Sequence, residues 1–347
     1  MFYPTDLGFK MPPEWAKRQQ TFIEFPIRKE LWENDIIEAK TAYSNIAKII
    51  SEFEKVTMIV DPANYEDAKK YLSDKIEILQ IEHNDSWIRD NGPTFITNDK
   101  NEIAGICWLF NSWGEKYKPY DKDKLVAKKI IYYLNIPCFE APIVLEGGAI
   151  HTNGNGTLLT TEQCLLNKNR NPDLSKDQIF RFLKRYLGIQ KIIWLKNGLY
   201  GDETDGHIDN IACFTSETEI LIQVCENDET DPNYQITQEN LKILEESIDV
   251  EGRKFKIHKI HQPPKRFYKN QRLTLSYINY YLVNGGLILP TFGEDAKYFD
   301  DMAESTLQKI FPDRKIIRID GMPIIKGGGN VHCITQQMPA ISQTFPS

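Results

Sequence analysis

The stretch KGGGNVHCITQQ, residues 326–337, sets three glycines just ahead of Asn330, His332 and Cys333. A protonated thiol, near pKa about 8.5, is a weak nucleophile, so a reactive cysteine needs a base or a neighbouring charge. His332 is adjacent, but neighbours on a strand point to opposite faces, so a Cys333 that faces a site leaves His332 turned away. A distant partner is available in GDETDGHIDNIACF (201–214), where His207 and Asp209 are two residues apart and share one face of an extended segment. Each residue alone also has a plain structural reading: Cys333 as a buried thiol, His207 as a satisfied core histidine, Asp209 as a turn or cap residue. The glycines favour reactivity at Cys333, because glycine inside a strand weakens it and often marks close approach of a ligand or backbone.

A second group lies in NDSWIRDNGPTF (84–95), which brings Trp87, Arg89 and Asp90 together. A tryptophan face and a carboxylate suit a planar cation, which stacks on the ring and donates paired N–H bonds to the oxygens. The competing reading is an internal Arg89–Asp90 pair beside a core tryptophan. Glu146 follows the apolar run IVL, an odd position for an acid unless it points into a shared cavity; an exposed strand end is the alternative. His207, Asp209, His332, Cys333 and Glu146 are all metal-ligand types. No HExxH, CxxC or paired-histidine spacing accompanies them, so metal catalysis and a cofactor are not expected. A GxSxG elbow and a GxxxxGK[ST] phosphate loop are both absent.

The chain has 347 residues, 41% hydrophobic and 26% charged, with net charge −7. The acidic balance argues against nucleic acid or an anionic membrane as partner and suits a cationic ligand. Six dispersed cysteines with no CxxC pair read as reduced thiols, which points to a cytoplasmic protein. The N-terminus MFYPTDLGFKMPPEW has no basic region followed by an apolar run, and no apolar run approaches 18 residues, so neither a secretory signal nor a membrane span is expected.

Helical periodicity predicts helices over 31–54, 65–75, 122–135, 174–188 and 240–249, the fourth stopped by Gly188. Between them lie β-rich runs: KVTMIVD, EIAGICWLF, GTLLTTEQCLL, KIIWLK, EILIQVC and GLILP. The acidic, turn-rich segment 226–240 reads as a solvated loop. Alternating β and α normally suggests a doubly wound parallel sheet. Against that default, Gly-rich stretches recur as RDNGP, EGGAIH, TDGHID, VNGGLI and GGGNVH, starting at 89, 146, 204, 283 and 327, which are 57, 58, 79 and 44 residues apart. This self-similarity predicts about five units, each with short strands and a helix, their Gly-rich ends meeting at a common centre.

WIRDNGP, EGGAIH, TDGHIDN and GGGNVHCITQQMP, with MPPEWA near the start, resemble the signature blocks of the agmatine deiminase family. That family lies in the guanidine-modifying (pentein) superfamily and is akin to Porphyromonas-type peptidyl-arginine deiminases. The resemblance implies one catalytic domain over 1–347, an α/β pentein fold in which five ββαβ-like repeats form a pseudo-fivefold propeller. It also implies agmatine as substrate, N-carbamoylputrescine and ammonia as products, no metal or cofactor, and a homodimer. Carried onto this sequence, it makes Cys333 the nucleophile, His207 the acid/base, and Asp90 and Asp209 the guanidinium holders. Trp87 and Glu146 line the pocket, Glu203 is a candidate for the distal amine, and Gly328 and Gly329 give the substrate clearance. Acids around Cys333 raise its pKa, so the cationic substrate itself is expected to favour the thiolate. The alternatives are an arginine or peptidyl-arginine deiminase, or a non-catalytic polyamine-binding protein.

Overall fold

The computed structural model describes residues 2–341. Five helices carry the long amphipathic periods: α1 (Ile36–Ile50), α2 (Asp123–Leu134), α3 (Lys176–Leu187), α4 (Pro232–Glu246) and α5 (Lys297–Ile310). Local chemistry sets their ends. Ser175 and Gln178 form a reciprocal capping box at the start of α3, and Gly188 ends it in the left-handed conformation at φ 72°. Asp231 caps α4 and Pro232 occupies its first position. This helix takes up the second half of the segment read as a solvated loop; the cap and proline were the signals for it. The period expected over 65–75 gives a helix only at Tyr65–Ala68, followed by turns. α5 lies outside the predicted helices, although Phe299, Ala303, Leu307 and Ile310 repeat at helical spacing and pack into a core cluster.

The strands do not join into one doubly wound sheet. Among the described residues they form five sheets of three or four strands and one two-stranded ribbon. In four of the sheets the plan is the same: an antiparallel hairpin, then a helix, then a strand parallel to the second. They are β4 (Thr94–Thr97), β5 (Ile103–Leu109) and β6 (Cys138–Val144) around α2; β7 (His151–Thr152), β8 (Thr157–Thr161) and β9 (Lys191–Leu195) around α3; β10 (Ala212–Ser216), β11 (Glu219–Val224) and β12 (Lys256–His261) around α4; and, beyond the ribbon β13 (Phe267–Tyr268) and β14 (Gln271–Arg272), β15 (Tyr281–Val283), β16 (Gly286–Thr291) and β17 (Lys315–Asp320) around α5. The remaining sheet has β1 (Arg18–Glu24), β2 (Lys55–Val60) and β3 (Glu77–Gln80), and its antiparallel member is β18 (Thr335–Pro339) from the far end of the chain. Pairing β18 on β1 ties the two ends together and fixes the segment that carries Cys333.

Each sheet is entered through a short turn that precedes its first antiparallel strand. These turns are Ile88–Asn91, Gly147–Ala149, Ile208–Asn210, Tyr277–Asn279 and the turn residues before β18. A hairpin–helix–strand plan thus recurs in four sheets, but VNGGLI does not mark its entry: Asn284 and Gly285 make the β15–β16 hairpin turn. The fourth marker is SYIN. Counted through Asp90, Gly148, Asp209, Asn279 and His332, the repeats are 58, 61, 70 and 53 residues apart, more even than the Gly-rich stretches suggested.

Candidate active site

The five entry turns touch one another in cyclic order. Ile88–Asn91 contacts Gly147–Ala149, which contacts Ile208–Asn210, which contacts Tyr277–Asn279. The ring closes through two backbone bonds, His332 N–H to the Asn279 carbonyl at 3.2 Å and Arg89 N–H to the Cys333 carbonyl at 3.2 Å. Side chains far apart in sequence thus converge on one point. A Cβ built on Gly148 marks that point: it would lie 2.6 Å from His207 Nδ1, 2.9 Å from Asp209 Oδ2 and 3.0 Å from Asp90 Oδ1.

Cys333 is 5% exposed. Its sulfur accepts from Asn279 Nδ2 at 3.2 Å, and its thiol donates to Asp209 Oδ2 at 3.5 Å. The residue is not on a strand, as the sequence reading assumed; residues 331–334 are a turn and β18 begins at Thr335. His332 does turn away from the thiol, but it is not idle. Its ring is clamped between two carboxylates, Nδ1 at 2.9 Å from Asp209 Oδ2 and Nε2 at 2.8 Å from Glu14 Oε1. Both nitrogens face acceptor oxygens, so the ring is satisfied only as the imidazolium. Glu14 also meets Arg89 Nη1 at 3.6 Å and His151 Nε2 at 3.6 Å. A buried ionic chain thus runs from Glu14 through His332 to the carboxylate beside the sulfur.

His207 is fully buried. It stands between Asp90, with Nδ1 to Oδ1 at 3.8 Å, and Glu146, with Nε2 to Oε2 at 3.9 Å. These are ion-pair distances rather than hydrogen bonds, and among the described residues both ring nitrogens lack a hydrogen-bond partner, as do Glu146 Oε2 and Asp209 Oδ1. Buried polar groups are rarely left so. His207 and Asp209 were expected to share a face of an extended segment. Residues 208–210 form a 3-10 turn instead, yet the turn brings both side chains to Gly148. Glu146 is not an exposed strand end. It is fully buried and takes a bond from Arg170 Nε at 2.7 Å, while Arg170 is held by Asp205 Oδ2 at 2.8 Å and the Thr204 carbonyl at 2.9 Å. Cys164 completes a close group with Glu146 and His207.

A cavity of about 380 Å³ opens onto this cluster, lined by Leu31, Trp87, Asp90, Trp113, Tyr117, Glu203, Thr204, the three glycines 327–329 and Cys333. Trp87 stacks on Trp32 with ring centroids 6.0 Å apart. Trp113 donates from Nε1 to Asp90 Oδ2 at 2.9 Å, and the Gly148 N–H donates to Asp90 Oδ1 at 3.0 Å, so both oxygens of Asp90 are fixed. Trp113 belongs to a run in the left-handed region, with φ 53°, 55°, 89° and 63° for Ser112, Trp113, Gly114 and Glu115. Each non-glycine residue there costs of order 1–2 kcal/mol, and such strain clusters at functional sites. Glu203 lines the mouth and accepts from the Tyr117 hydroxyl. Gly329 lies between Trp87 and Cys333: a Cβ there would sit 2.5 Å from Trp87 Cζ3 and 3.0 Å from Sγ. Gly328, at φ 104°, faces Glu203 across the cavity.

The charges are ordered. Burial, then the charges of Asp209 and Asp90, push the Cys333 thiol well above the usual range. Burial raises Asp90 against the pull of His207, and the charges of Asp209 and Glu146 add to it. Burial opposes the Asp209 charge too, but the His332 bond and charge hold its carboxyl below the usual value. Burial works against a charged His207, yet Asp90, Cys164 and Glu146 raise it well above an ordinary imidazole. Glu146 is held low, burial notwithstanding, by Arg170 and His207. The resting cluster is therefore a neutral thiol and an imidazolium among carboxylates, two of whose oxygens, Glu146 Oε2 and Asp209 Oδ1, lack a donor among the described residues. It is built to receive a compact, donor-rich cation.

Gly148 tests this convergence. Gly148→Ala is expected to lower turnover by roughly 10²-fold or more, since displacements near 1 Å at a reacting centre cost about that much. Activity assayed beside an unchanged circular-dichroism spectrum checks it.

The residues predicted for the site lie at the cavity or directly behind it, while Arg89 pairs with Glu14 rather than with Asp90. Trp87, Asp90, Glu203, Gly328, Gly329 and Cys333 line the cavity, while His207, Asp209 and Glu146 form the buried layer behind. Asn279, Trp113, Tyr117, Glu14 and Arg170 were missed. The EW of MPPEW was visible as a block, and SYIN was hidden by the more conspicuous VNGG that follows it.

Comparison with known proteins agrees with this geometry. The family model for Porphyromonas-type peptidyl-arginine deiminase matches residues 10–339. An agmatine deiminase of Pseudomonas aeruginosa is 42% identical over 357 residues, covering 96% of each chain. The structure of an Enterococcus faecalis agmatine deiminase superposes with a TM-score of 0.93 at 34% identity over 98% of both chains. A cysteine-to-serine variant of a C. jejuni agmatine deiminase, solved with substrate bound, gives a TM-score of 0.86 at 32% identity, covering 95% of this chain and 96% of that one. The thiol, the histidine and the paired carboxylates thus sit in a chain matched almost end to end: it belongs to the Porphyromonas-type peptidyl-arginine deiminase family.

Proposed function

We propose that this chain is an agmatine deiminase, a hydrolase that converts agmatine to N-carbamoylputrescine and ammonia. One observation carries the reading: Asp90, Asp209, His207 and a buried thiol converge around Gly148 and Gly329 at the floor of a cavity whose wall is tryptophan. A guanidinium stays protonated at neutral pH, so its carbon is electrophilic enough only when its charge is held and focused. Asp90 and Asp209 accept its N–H groups, Trp87 and Trp113 flank its plane, and Gly329 leaves the gap through which its carbon meets Sγ.

The steps follow from these positions. The substrate cation offsets the Asp90 and Asp209 charges that hold the thiol neutral, and the Cys333 proton passes to solvent as the ligand binds, leaving His207 protonated. The thiolate adds to the guanidinium carbon to give a tetrahedral adduct. His207, as imidazolium, protonates the departing nitrogen and ammonia leaves. Neutral His207 then takes a proton from water, which attacks the remaining S-alkylthiouronium; collapse releases the ureido product and restores the thiol. Glu146, anchored by Arg170, keeps His207 turned toward the reacting carbon. Glu203 at the mouth is the anion for the distal amine. The ring of five entry turns supports one domain built as a pseudo-fivefold propeller of five repeats. A cytoplasmic homodimer completes the reading, resting on the resemblance and on the dispersed cysteines.

Ammonia release from agmatine, arginine and a blocked arginyl peptide tests the assignment. Agmatine should be preferred by a wide margin, because among the described residues no cation lines the cavity to meet an α-carboxylate; a preference for arginine contradicts it. Substrate-assisted activation has its own check. In the free enzyme, alkylation of Cys333 by iodoacetamide should be slow at neutral pH and rise about tenfold per pH unit without levelling below pH 9, as a thiol raised above the usual range requires. A plateau near neutrality contradicts it.

A further inference from the structure

Outside this site, Cys107 and Cys138 bring their sulfurs to 3.1 Å of each other. Cys107 is in the middle of β5 and Cys138 opens the neighbouring parallel strand β6, where it pairs with Gly105 while Cys107 pairs with Glu140. The alternation of strand side chains puts both thiols on the same face of the sheet. Cys138 is exposed and Cys107 is half-buried, whereas Cys164, Cys213, Cys225 and Cys333 are all buried. Lys128 of α2 lies alongside, bound to Glu140 at 2.7 Å. The mechanism uses neither thiol.

We propose that Cys107 and Cys138 form a thiol–disulfide exchange site that takes low-molecular-weight disulfides, with Cys138 as the attacking thiol and Cys107 as the resolving one. The geometry assigns the order: Cys138 is the one a small disulfide reaches, and Cys107 stands behind it. The sulfurs need approach by only about 1 Å to reach bonding distance, near 2.05 Å. The hydrogen bond between them biases the pair the same way: it lowers the Cys138 thiol against burial and the Glu140 charge, with Lys128 adding a smaller pull, while the same contact and burial raise Cys107.

The step balances as two exchanges. The Cys138 thiolate attacks one sulfur of the added disulfide, breaks its S–S bond and expels one thiolate. Cys107 loses its proton and attacks the Cys138 sulfur of the mixed disulfide, expelling the second thiolate. Two protein thiols are oxidised, the added disulfide is reduced to two thiols, and the two protons end on those leaving groups. The product ties β5 to β6 across α2 and closes a loop in the unfolded chain, so it stabilises the fold.

The folded full-length protein is incubated with oxidised glutathione and followed by intact mass and peptide mapping. Wild type should lose two hydrogens, yield one cross-linked peptide joining residues 107 and 138, show a higher Tm, and revert fully with dithiothreitol. Cys107→Ser should stop at a stable glutathione adduct on Cys138, and Cys138→Ser should form neither adduct nor cross-link at this pair. The double serine variant should turn over agmatine as wild type does. The proposal is overturned if wild type retains a glutathione adduct on Cys138, or keeps both thiols free under conditions that modify a model thiol. It is equally overturned if Cys107→Ser takes up no glutathione. The wild-type arm decides between these outcomes by itself, so the proposal stays open to refutation even where a serine variant fails to fold.

Discussion

Cys333→Ala is expected to abolish ammonia release from agmatine, a loss of roughly 10⁵–10⁶-fold, the scale on which loss of a covalent nucleophile is felt when it acts as a unit with its base. The size of the effect follows from the absence of a substitute. The other sulfur near the cluster, Cys164, packs against His207 and Glu146, and the side chains lining the cavity are carboxylates, aromatic rings, Leu31 and the Thr204 hydroxyl, none a thiol other than Cys333. Binding should survive, because Asp90 and Asp209 keep their places through Trp113, the Gly148 N–H and His332. Agmatine affinity measured by calorimetry should change by less than about tenfold, since removing the thiol takes away no N–H acceptor of comparable strength. A variant that binds agmatine and does not turn it over separates a nucleophile from a structural thiol. Loss of binding and of Tm together, with residual turnover, would describe the structural thiol instead.

His207→Ala carries the second largest effect, a fall of roughly 10²–10⁴-fold in kcat, typical of a lost general acid/base. In the proposed steps both halves of the reaction need this group, first as a donor and then as an acceptor, so formation and hydrolysis of the thiouronium should both slow. His207→Gln should behave alike in catalysis while keeping the packing, which allows its stability to be compared with wild type. The folded imidazole is raised well above its ordinary 6.5 by Asp90, Cys164 and Glu146 against burial. A raised group contributes stability that is fully present below its unfolded value, about 6.5, and is lost as pH climbs through the folded value. The Tm difference between wild type and His207→Gln should therefore be largest below about pH 6.5 and shrink on the alkaline side. A difference that grows with pH would mean that His207 is neutral in the resting enzyme.

Much of this site was legible because its chemistry sits in runs of unlike residues. WIRD, EGG and DGHID each carry an acid or a histidine beside turn-making residues, and the recurring turns announced a repeat. What failed to read was backbone geometry. Asp209 was read on an extended segment and Cys333 on a strand, whereas both lie in tight turns that aim side chains inward. Asn279 escaped because an amide between SYI and YYLV looks like strand filler, and only the ring of turns gives it a neighbour. Trp113 needs a left-handed backbone that no propensity encodes. Glu14 lies more than 300 residues from His332, a partnership created by β18 pairing on β1. His332 was set aside as the base, and in the structure its ring bonds Asp209 instead of the thiol and helps hold that carboxyl charged.

The central claim is that agmatine passes through a covalent bond to Cys333. Acid-quenching the enzyme during steady-state turnover and weighing the intact protein tests it most directly. The mass should rise by that of agmatine less ammonia, and peptide mapping should place the adduct on Cys333. Rapid turnover with no adduct at any quench time, together with turnover persisting in Cys333→Ala, would contradict it.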